Sequence, residues 1–144
     1  MTDVADNLGI DFVVRPIGRV KSPLTVTADA PRQGDEGAPE AYLILDSSVE
    51  AALDGIAVGN EIIVLTWLHQ ADRSTLTVHP RDDQSRPEQG VFSTRSASRP
   101  NPIGLHRVRV LSIDGLRLQV SGLEAIDGTP IADVKPVLGA IDER

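Results

Sequence analysis

The second half of the chain carries short apolar runs separated by turn residues, a pattern that predicts β-strands. Two extended arms in residues 105–121 flank Asp114-Gly115, and Asp-Gly is a favoured two-residue hairpin turn. In the second arm Leu116, Leu118 and Val120 alternate with polar neighbours, which is typical of a strand with one buried face. The sequence therefore predicts a β-hairpin over Leu105–Ile113 and Leu116–Ser121.

The rest of the chain adds more strands and one helix. Ile62–Leu68 is an almost unbroken apolar run, which predicts a strand buried on both faces. Ser47-Ser48-Val49-Glu50 has the form of a capping box, and apolar residues follow at helical spacing until Gly55, so one short amphipathic helix is predicted. Further extended segments are predicted at Phe12–Val20 with a break at Pro16, Ala41–Leu45, Thr75–His79, Val91–Arg95 and Pro130–Val137.

Seven or so short strands and one helix predict a mainly β, single-domain small β-barrel. We expect the barrel domain to span residues 12–138, between tails of residues 1–11 and 139–144. At 144 residues the chain has the size of one ordinary domain. Because aromatic residues make up only 3%, aliphatic side chains must fill its core.

Several classes of site and location are excluded or disfavoured. With no cysteine, the chain has no disulfide, thiolate metal site or cysteine nucleophile, which fits a cytoplasmic protein. It lacks a glycine-rich dinucleotide fingerprint, a P-loop and a zinc-protease motif, so a nucleotide-like cofactor would bind without a Rossmann fold. The three histidines are too widely spaced to predict a metal site. No basic and apolar leader and no membrane-length apolar run is present, so we expect neither a signal peptide nor membrane association.

Positive charge is concentrated in the middle of an acidic chain. The net charge is −7, yet residues 73–117 hold eight basic and four acidic side chains, and all eight are arginine. Arginine suits carboxylate and phosphate groups, which favours an anionic ligand. The alternative is an ordinary solvated surface on which arginine replaces lysine.

Three further features have the residue types of a binding site. His69 ends a predicted strand and lies either at a barrel rim or in a purely structural position. The segment 94–105 contains Pro100 and Pro102, which exclude a helix, so it is a stiff loop that either binds a ligand or only connects strands. Asp127-Gly128-Thr129-Pro130 is a tight turn whose carboxylate and hydroxyl suit a ribose or an ammonium group, although such turns are also common without function.

Taken together, these segments resemble the TsaA-like family, which includes the TrmO-type tRNA methyltransferases. The resemblance lies in Gly90–Ser96, Arg99-Pro100-Asn101-Pro102-Ile103-Gly104, and Asp127–Pro130 with Asp133-Val134-Lys135-Pro136. Earlier segments agree, namely Ile17–Pro23, Pro31-Arg32-Gln33 and Trp67–Gln70, so the likeness runs from about Phe12 to Leu138.

The resemblance implies a non-Rossmann β-barrel that binds S-adenosylmethionine and works as a homodimer. It implies methylation of the exocyclic nitrogen of threonylcarbamoyladenosine, next to the tRNA anticodon. Matched residue by residue, the cofactor-binding positions are Pro31, Arg32, Gln33, His69, Gln70, Arg95, Leu105, Ile126, Asp127, Gly128 and Thr129.

Substrate and catalytic roles follow from chemistry as well as from the resemblance. Arg99, Asn101 and Arg107 are the candidates for holding the substrate, and Arg99 suits a threonyl carboxylate. His69 is the candidate general base, since an amide-like nitrogen is a weak nucleophile until it loses its proton. Two alternatives stay open: a methyltransferase of the same fold that acts on a small anionic molecule, and a module that binds S-adenosylmethionine or RNA without catalysis. The acidic net charge, and a chain shorter than relatives with a C-terminal domain, favour the small molecule.

Overall fold

A computed structural model describes residues 11–24 and 40–139 of the chain. The strands are β1 (Gly18–Lys21), β2 (Ala41–Leu45), β3 (Glu61–Trp67), β4 (Thr77–Val78), β5 (Gln89–Gly90), β6 (Ile103–Asp114), β7 (Arg117–Ser121) and β8 (Pro130–Pro136). Six of them form a closed barrel in the order β1-β2-β7-β6-β3-β8, and the short strands β4 and β5 pair with each other in a separate sheet. The mainly β, single-domain architecture predicted from the sequence is confirmed.

All neighbouring barrel strands run antiparallel. The predicted hairpin is present as β6 and β7, joined at Gly115, whose φ of 59° suits a glycine in the Asp-Gly turn. The long strand β6 pairs with β7 through its second half and with β3 through its first half. The barrel closes where β1 pairs with β8, so no barrel edge remains open to another chain.

Aliphatic side chains fill the barrel, as the scarcity of aromatic residues predicts. Val20, Leu43, Val64, Leu118 and Ile131 are fully buried at its centre. The prediction that β3 is buried on both faces is wrong, because its residues alternate between buried and half-buried. Only the inner face of a barrel strand enters the core, while the outer apolar face of β3 lies at the surface.

The predicted amphipathic helix is a seven-residue 3₁₀ helix, Ser47–Leu53. Its N-cap is Asp46 rather than Ser47, since the Asp46 carboxylate accepts a hydrogen bond from the Ser48 amide at 2.9 Å. Val49 and Leu53 pack against the core although no residue of the helix is fully buried.

Three predicted strands are shorter than expected or are not strands. The segment before Gly18 is not a strand, because Pro16 has no amide hydrogen to donate and pairing with β2 begins only at Gly18. The predicted strand Thr75–His79 is reduced to β4, which pairs only with β5 and ends before Pro80. Val91–Ser93 is a 3₁₀ turn instead of the start of a strand. Among the described residues, no helix is long and apolar enough to cross a membrane.

Candidate functional site

One end of the barrel brings together most of the residues predicted to bind a ligand. Because the strands are antiparallel, the end of β3 lies beside the start of β6, and Trp67 faces Ile103. The start of β8 lies beside β1 and the end of β3, because Ile131 faces Gly18 and Thr66 and Pro130 faces Arg19. We call this the cofactor end of the barrel; the Asp114-Gly115 turn lies at the opposite end of β6.

The Asp127-Gly128-Thr129 turn is fixed to the segment that follows β1. The Asp127 amide donates to the Leu24 carbonyl at 2.6 Å, and the Gly128 amide donates to the Val20 carbonyl at 2.8 Å. The Asp127 carboxylate accepts a hydrogen bond from the Ser22 amide at 3.0 Å. Gly128 has a φ of 84°, a conformation that favours glycine. The turn therefore holds residues 20–24 in place. The predicted cofactor-binding residues Pro31, Arg32 and Gln33 lie outside the described residues.

Within this turn, only some groups are available to a ligand. Ile126 and Thr129 are buried, and the Thr129 hydroxyl donates to the Ile126 carbonyl at 2.6 Å. Asp127 and Gly128 are exposed, and one Asp127 oxygen is hydrogen-bonded to Ser22. A carboxylate has further acceptor positions, so Asp127 retains the capacity to accept hydroxyl or ammonium donors.

His69 and Gln70 lie one residue beyond the end of β3, and both are exposed at the cofactor end. Their position is set by the preceding residue, since the Leu68 amide donates to the Pro102 carbonyl at 2.8 Å. Exposure at a barrel rim favours a ligand-facing role over a buried structural histidine.

The loop of residues 91–102 is rigid for a reason that the sequence did not reveal. Arg99 donates through Nη1 to the carbonyls of Thr94 at 3.2 Å and Ser96 at 2.9 Å. Its Nη2 donates to the Val91 carbonyl at 2.8 Å. The Thr94 hydroxyl also donates to the Val91 carbonyl. Together these hydrogen bonds fold the segment into a turn, which explains why the predicted strand over Val91–Arg95 is absent. Arg99 therefore holds the loop together, while Arg95 in the same loop is exposed.

Asn101, a second predicted substrate residue, is likewise engaged within the protein. Arg73 donates through Nη2 to its side-chain oxygen at 2.9 Å and through Nε to the Pro100 carbonyl at 2.7 Å. The Arg73 guanidinium also lies over the Trp67 ring, 5.0 Å from its centroid. Arg73 thus ties the loop to the end of β3.

The remaining predicted residues lie on the outer face of β6. Leu105 is 49% exposed there, although it carries an apolar side chain. Arg107 forms an ion pair with Glu61, with Nε 2.9 Å and Nη2 3.3 Å from its two oxygens. The hydrogen bond from Arg107 and its charge lower the pKa of the Glu61 carboxyl.

The arginines of residues 73–117 do not form one surface. Arg73, Arg95 and Arg99 lie near the cofactor end, while Arg107 and Arg109 share Glu61 on the outer face. Arg117 stacks on Tyr42 at 4.2 Å, at the start of β7 and away from the cofactor end. Six of the eight arginines thus fall into three separate groups, and Arg86 pairs with Asp83 in the connection from β4 to β5.

A buried polar cluster at the cofactor end was missed by the sequence reasoning. The His106 ring is 4% exposed; its Nε2 lies 2.7 Å from the Thr66 hydroxyl, and its Nδ1 lies 2.6 Å from Glu124 Oε1. The alternation of β6 contained the signal, because His106 occupies the same inward phase as Val108 and Val110.

The described residues contain no group of three or more histidine, aspartate or glutamate side chains placed to hold a metal ion. Two shallow surface depressions among the described residues, one beside Leu53 and one beside Arg19, contain none of the predicted site residues. The candidate site is therefore defined by the converging strand ends rather than by a deep cavity.

Residues 19–143 match the family model described as the tRNA-methyltransferase O N-terminal domain. The chain belongs to this family. Similar proteins include a "Probable S-adenosyl-L-methionine-binding protein" of Methanothermobacter thermautotrophicus, which is 43% identical over 92% of this chain and 95% of its own length. An S-adenosyl-L-methionine-binding protein of Archaeoglobus fulgidus is 42% identical over 91% of this chain and 93% of its own length.

The fold is also similar to that of a solved member of the family. The crystal structure of TrmO from Pseudomonas aeruginosa is 31% identical, with a TM-score of 0.71 over 94% of this chain. The match covers 62% of the TrmO chain, so the present chain spans less than two thirds of that protein.

Proposed function

We propose that the protein is an S-adenosylmethionine-dependent methyltransferase of the cytoplasm. The observation that carries this proposal is the convergence of His69, Gln70, Leu105 and the Asp127 turn on one end of a barrel of the TrmO family. Relatives of the same length that are named for S-adenosylmethionine binding support it.

The groups exposed at the cofactor end fit the chemistry of S-adenosylmethionine. Asp127 offers a carboxylate for the ribose hydroxyls or the amino group, and Leu105 offers an apolar surface for the adenine ring. Arg95 and Gln70 offer donors for the carboxylate and for ring nitrogens. Because the Arg99 hydrogen bonds hold the loop of Arg95, little ordering is needed when a ligand binds.

For methyl transfer the protein must mainly align the acceptor with the methyl group, because that methyl group is already activated. When bound, S-adenosylmethionine supplies an electrophilic sulfonium methyl and leaves as S-adenosylhomocysteine. The residues of the cofactor end hold the acceptor nitrogen in line with that methyl, which is worth many orders of magnitude in rate. His69 accepts the proton that the nitrogen loses as the new N–C bond forms.

As the acceptor we propose the exocyclic nitrogen of threonylcarbamoyladenosine in tRNA. Arg95 and Arg73 at the cofactor end supply positive charge beside the site. Arg99 and Asn101 then act mainly by fixing the loop, because their polar groups already bind Arg73 and backbone carbonyls. Arg107 lies on the outer face in an ion pair and is the least suited of the three to contact the substrate.

A small anionic acceptor is the second candidate, and two observations favour it. The net charge is −7 and the arginines are divided into separate groups, which gives RNA no continuous basic surface. Relatives that match over nearly their full length are named for binding S-adenosylmethionine and not for tRNA.

We further propose that the protein is a homodimer. The outer face of β3 and β6 exposes apolar side chains, with Ile103 at 54% and Leu105 at 49%, beside the half-buried Leu65 and Trp67. A second copy covering this face would also enclose the cofactor end. Ile103→Glu should convert a species of twice 15.4 kDa into one of 15.4 kDa in light scattering. A wild-type monomer across a micromolar concentration series would contradict the homodimer.

Calorimetry with S-adenosylmethionine and S-adenosylhomocysteine tests cofactor binding. The variant Asp127→Ala should weaken binding at least about tenfold, the size expected when a charged hydrogen-bond acceptor is removed. Asp114→Ala is the matched control, since it alters the other Asp-Gly turn at the opposite end of β6. No binding by the wild type, or equal loss in both variants, would contradict the site.

Mass analysis of nucleosides from tRNA incubated with the protein and labelled cofactor tests the acceptor. A threonylcarbamoyladenosine heavier by one methyl group supports the tRNA methyltransferase, and His69→Ala should abolish this methylation even at a cofactor concentration that saturates the variant. His79→Ala is the control, because His79 binds the Arg86 carbonyl outside the proposed site. Binding without methyl transfer to tRNA would favour the small anionic acceptor.

A further inference from the structure

The buried polar cluster of Thr66, His106 and Glu124, which we call the polar triad, is unusual for this core. Its neighbours inside the barrel are aliphatic, yet His106 is 4% exposed and the Glu124 side chain is 15% exposed. Glu124 Oε1 lies 2.6 Å from His106, but Oε2 is buried with no hydrogen-bond partner among the described residues. A half-satisfied buried carboxylate costs free energy, so stability alone does not explain its presence.

The polar triad joins three of the segments that meet at the cofactor end. Thr66 immediately precedes Trp67 at the end of β3, and His106 immediately follows Leu105 in β6. Glu124 lies in the connection from β7 to the Asp127 turn. In sequence the members are 40 and 18 residues apart; the Thr66–His106 contact adds to the β3–β6 backbone ladder, and the His106–Glu124 contact links Glu124 to it.

The backbone is shaped to let the polar triad form. Gly104 faces Thr66 across the β3–β6 ladder, and a Cβ atom built at Gly104 would lie 2.7 Å from His106 Nε2 and closer still to the Thr66 hydroxyl. The side chains of the polar triad thus occupy the space that a larger residue at 104 would need.

We propose that the polar triad is a positioning unit that holds the Asp127 turn in its ligand-binding geometry. Glu124 is hydrogen-bonded to His106, and the turn begins three residues later, so movement of Glu124 displaces the turn. His106 in β6 is in turn hydrogen-bonded to Thr66 in β3, so these two strands hold Glu124 in position. The proposal concerns order in the turn, and it rests on the proposed function only for the identity of the ligand.

Hydrogen exchange of the Asp127 and Gly128 amides reports on this order directly, because each donates to a backbone carbonyl of residues 20–24. The double variant His106→Leu with Glu124→Leu removes both side chains of the His106–Glu124 hydrogen bond and leaves no orphaned carboxylate. These two amides should then exchange at least about tenfold faster, which corresponds to about 1.4 kcal/mol of local opening. Amides in the β6–β7 hairpin should change little.

Val110→Ala is the matched control, since Val110 occupies the same inward face of β6 but lies farther from the cofactor end. It should lower the urea midpoint without selectively exposing the turn. His106→Asn, whose amide nitrogen replaces Nδ1 as the donor to Glu124, should recover part of the protection. If the double variant and Val110→Ala alter exchange equally across the barrel, or if the turn amides stay protected, the polar triad has no positioning role.

Binding of S-adenosylmethionine to the same variants connects the polar triad to the site. The double variant should bind at least about tenfold more weakly than the wild type, and Val110→Ala should bind as the wild type does. Loss of turn protection without loss of affinity would overturn the link to the ligand. A wild type that does not bind S-adenosylmethionine would instead contradict the proposed function, while the exchange measurement would still decide the positioning role.

Discussion

Replacing Gly104 with alanine tests how closely β3 and β6 pack at the cofactor end. The added methyl group would lie 2.7 Å from His106 Nε2 and closer to the Thr66 hydroxyl, whereas nonbonded carbon contacts are most favourable at about 3.5–4.0 Å. Thr66 and His106 are also hydrogen-bonded to each other at 2.7 Å, so neither moves freely. The alanine must therefore separate the two strands or break this bond.

The expected cost follows from these two outcomes. Overpacking a well-filled core costs about 1–3 kcal/mol. Breaking the buried Thr66–His106 hydrogen bond leaves unsatisfied polar groups, at about 1–3 kcal/mol more. Replacing glycine in the unfolded chain returns about 0.4–1 kcal/mol. If both occur, we expect a net loss of about 1–6 kcal/mol, to be compared with the roughly 5–15 kcal/mol typical of a domain.

Urea unfolding of the variant beside Gly90→Ala measures this cost. Gly90 has no atom within 4 Å of its built Cβ and an ordinary φ of −63°, so alanine there should change stability by less than about 1 kcal/mol in either direction. A lower midpoint for Gly104→Ala with an unchanged m-value supports the packing argument. Equal midpoints for the two variants would show that the β3–β6 contact relaxes at no cost and refute the reasoning.

Three further predictions concern the loop, the surface ion pair and the contact between β1 and β2. Arg99→Ala should make the loop of residues 91–102 more sensitive to limited proteolysis, because three carbonyl contacts are lost; Arg95→Ala should leave it resistant. Because Arg107 lowers the pKa of Glu61, the wild type should exceed Arg107→Ala in stability at neutral pH. This difference in stability should decrease as the pH falls below the usual pKa range of glutamate, because Glu61 then becomes protonated. Urea midpoints of both proteins at about pH 7 and pH 3 would check this. Gly18→Ala should destabilise the barrel, since its Cβ would lie 2.9 Å from the Leu45 Cα across β1 and β2; a Gly18→Ala midpoint equal to that of Gly90→Ala would contradict this.

Local patterns in the sequence were sufficient for the elements whose partners lie nearby. The Asp114-Gly115 turn and the alternation around Leu118 predict the β6–β7 hairpin, and Ala41–Leu45 is a strand as expected. They were insufficient where side chains redirect the backbone. The segment after Val91 has the composition of a strand, but Arg99, eight residues later, binds its carbonyl and holds a turn.

The candidate site likewise has features that the sequence predicts and features that depend on contacts made only after folding. The family motif predicts which residues bind a ligand, and three of them, His69, Leu105 and Asp127, lie at one end of the barrel. The motif did not indicate which arginine faces a ligand and which supports the loop, because Arg95 and Arg99 have identical chemistry. Their difference depends on which carbonyls lie within reach after folding.

The sequence alone determined that this chain is a mainly β domain with an aliphatic core and a TsaA-like motif. Composition, hydrophobic alternation and turn residues are properties of the sequence itself or of a few neighbouring positions, so they can be recognised without knowledge of the fold. Only the tertiary structure decided the closure of the barrel and the meeting of Thr66, His106 and Glu124. These contacts depend on the register of strands distant in sequence, and that register is set by how all six strands fit around one core.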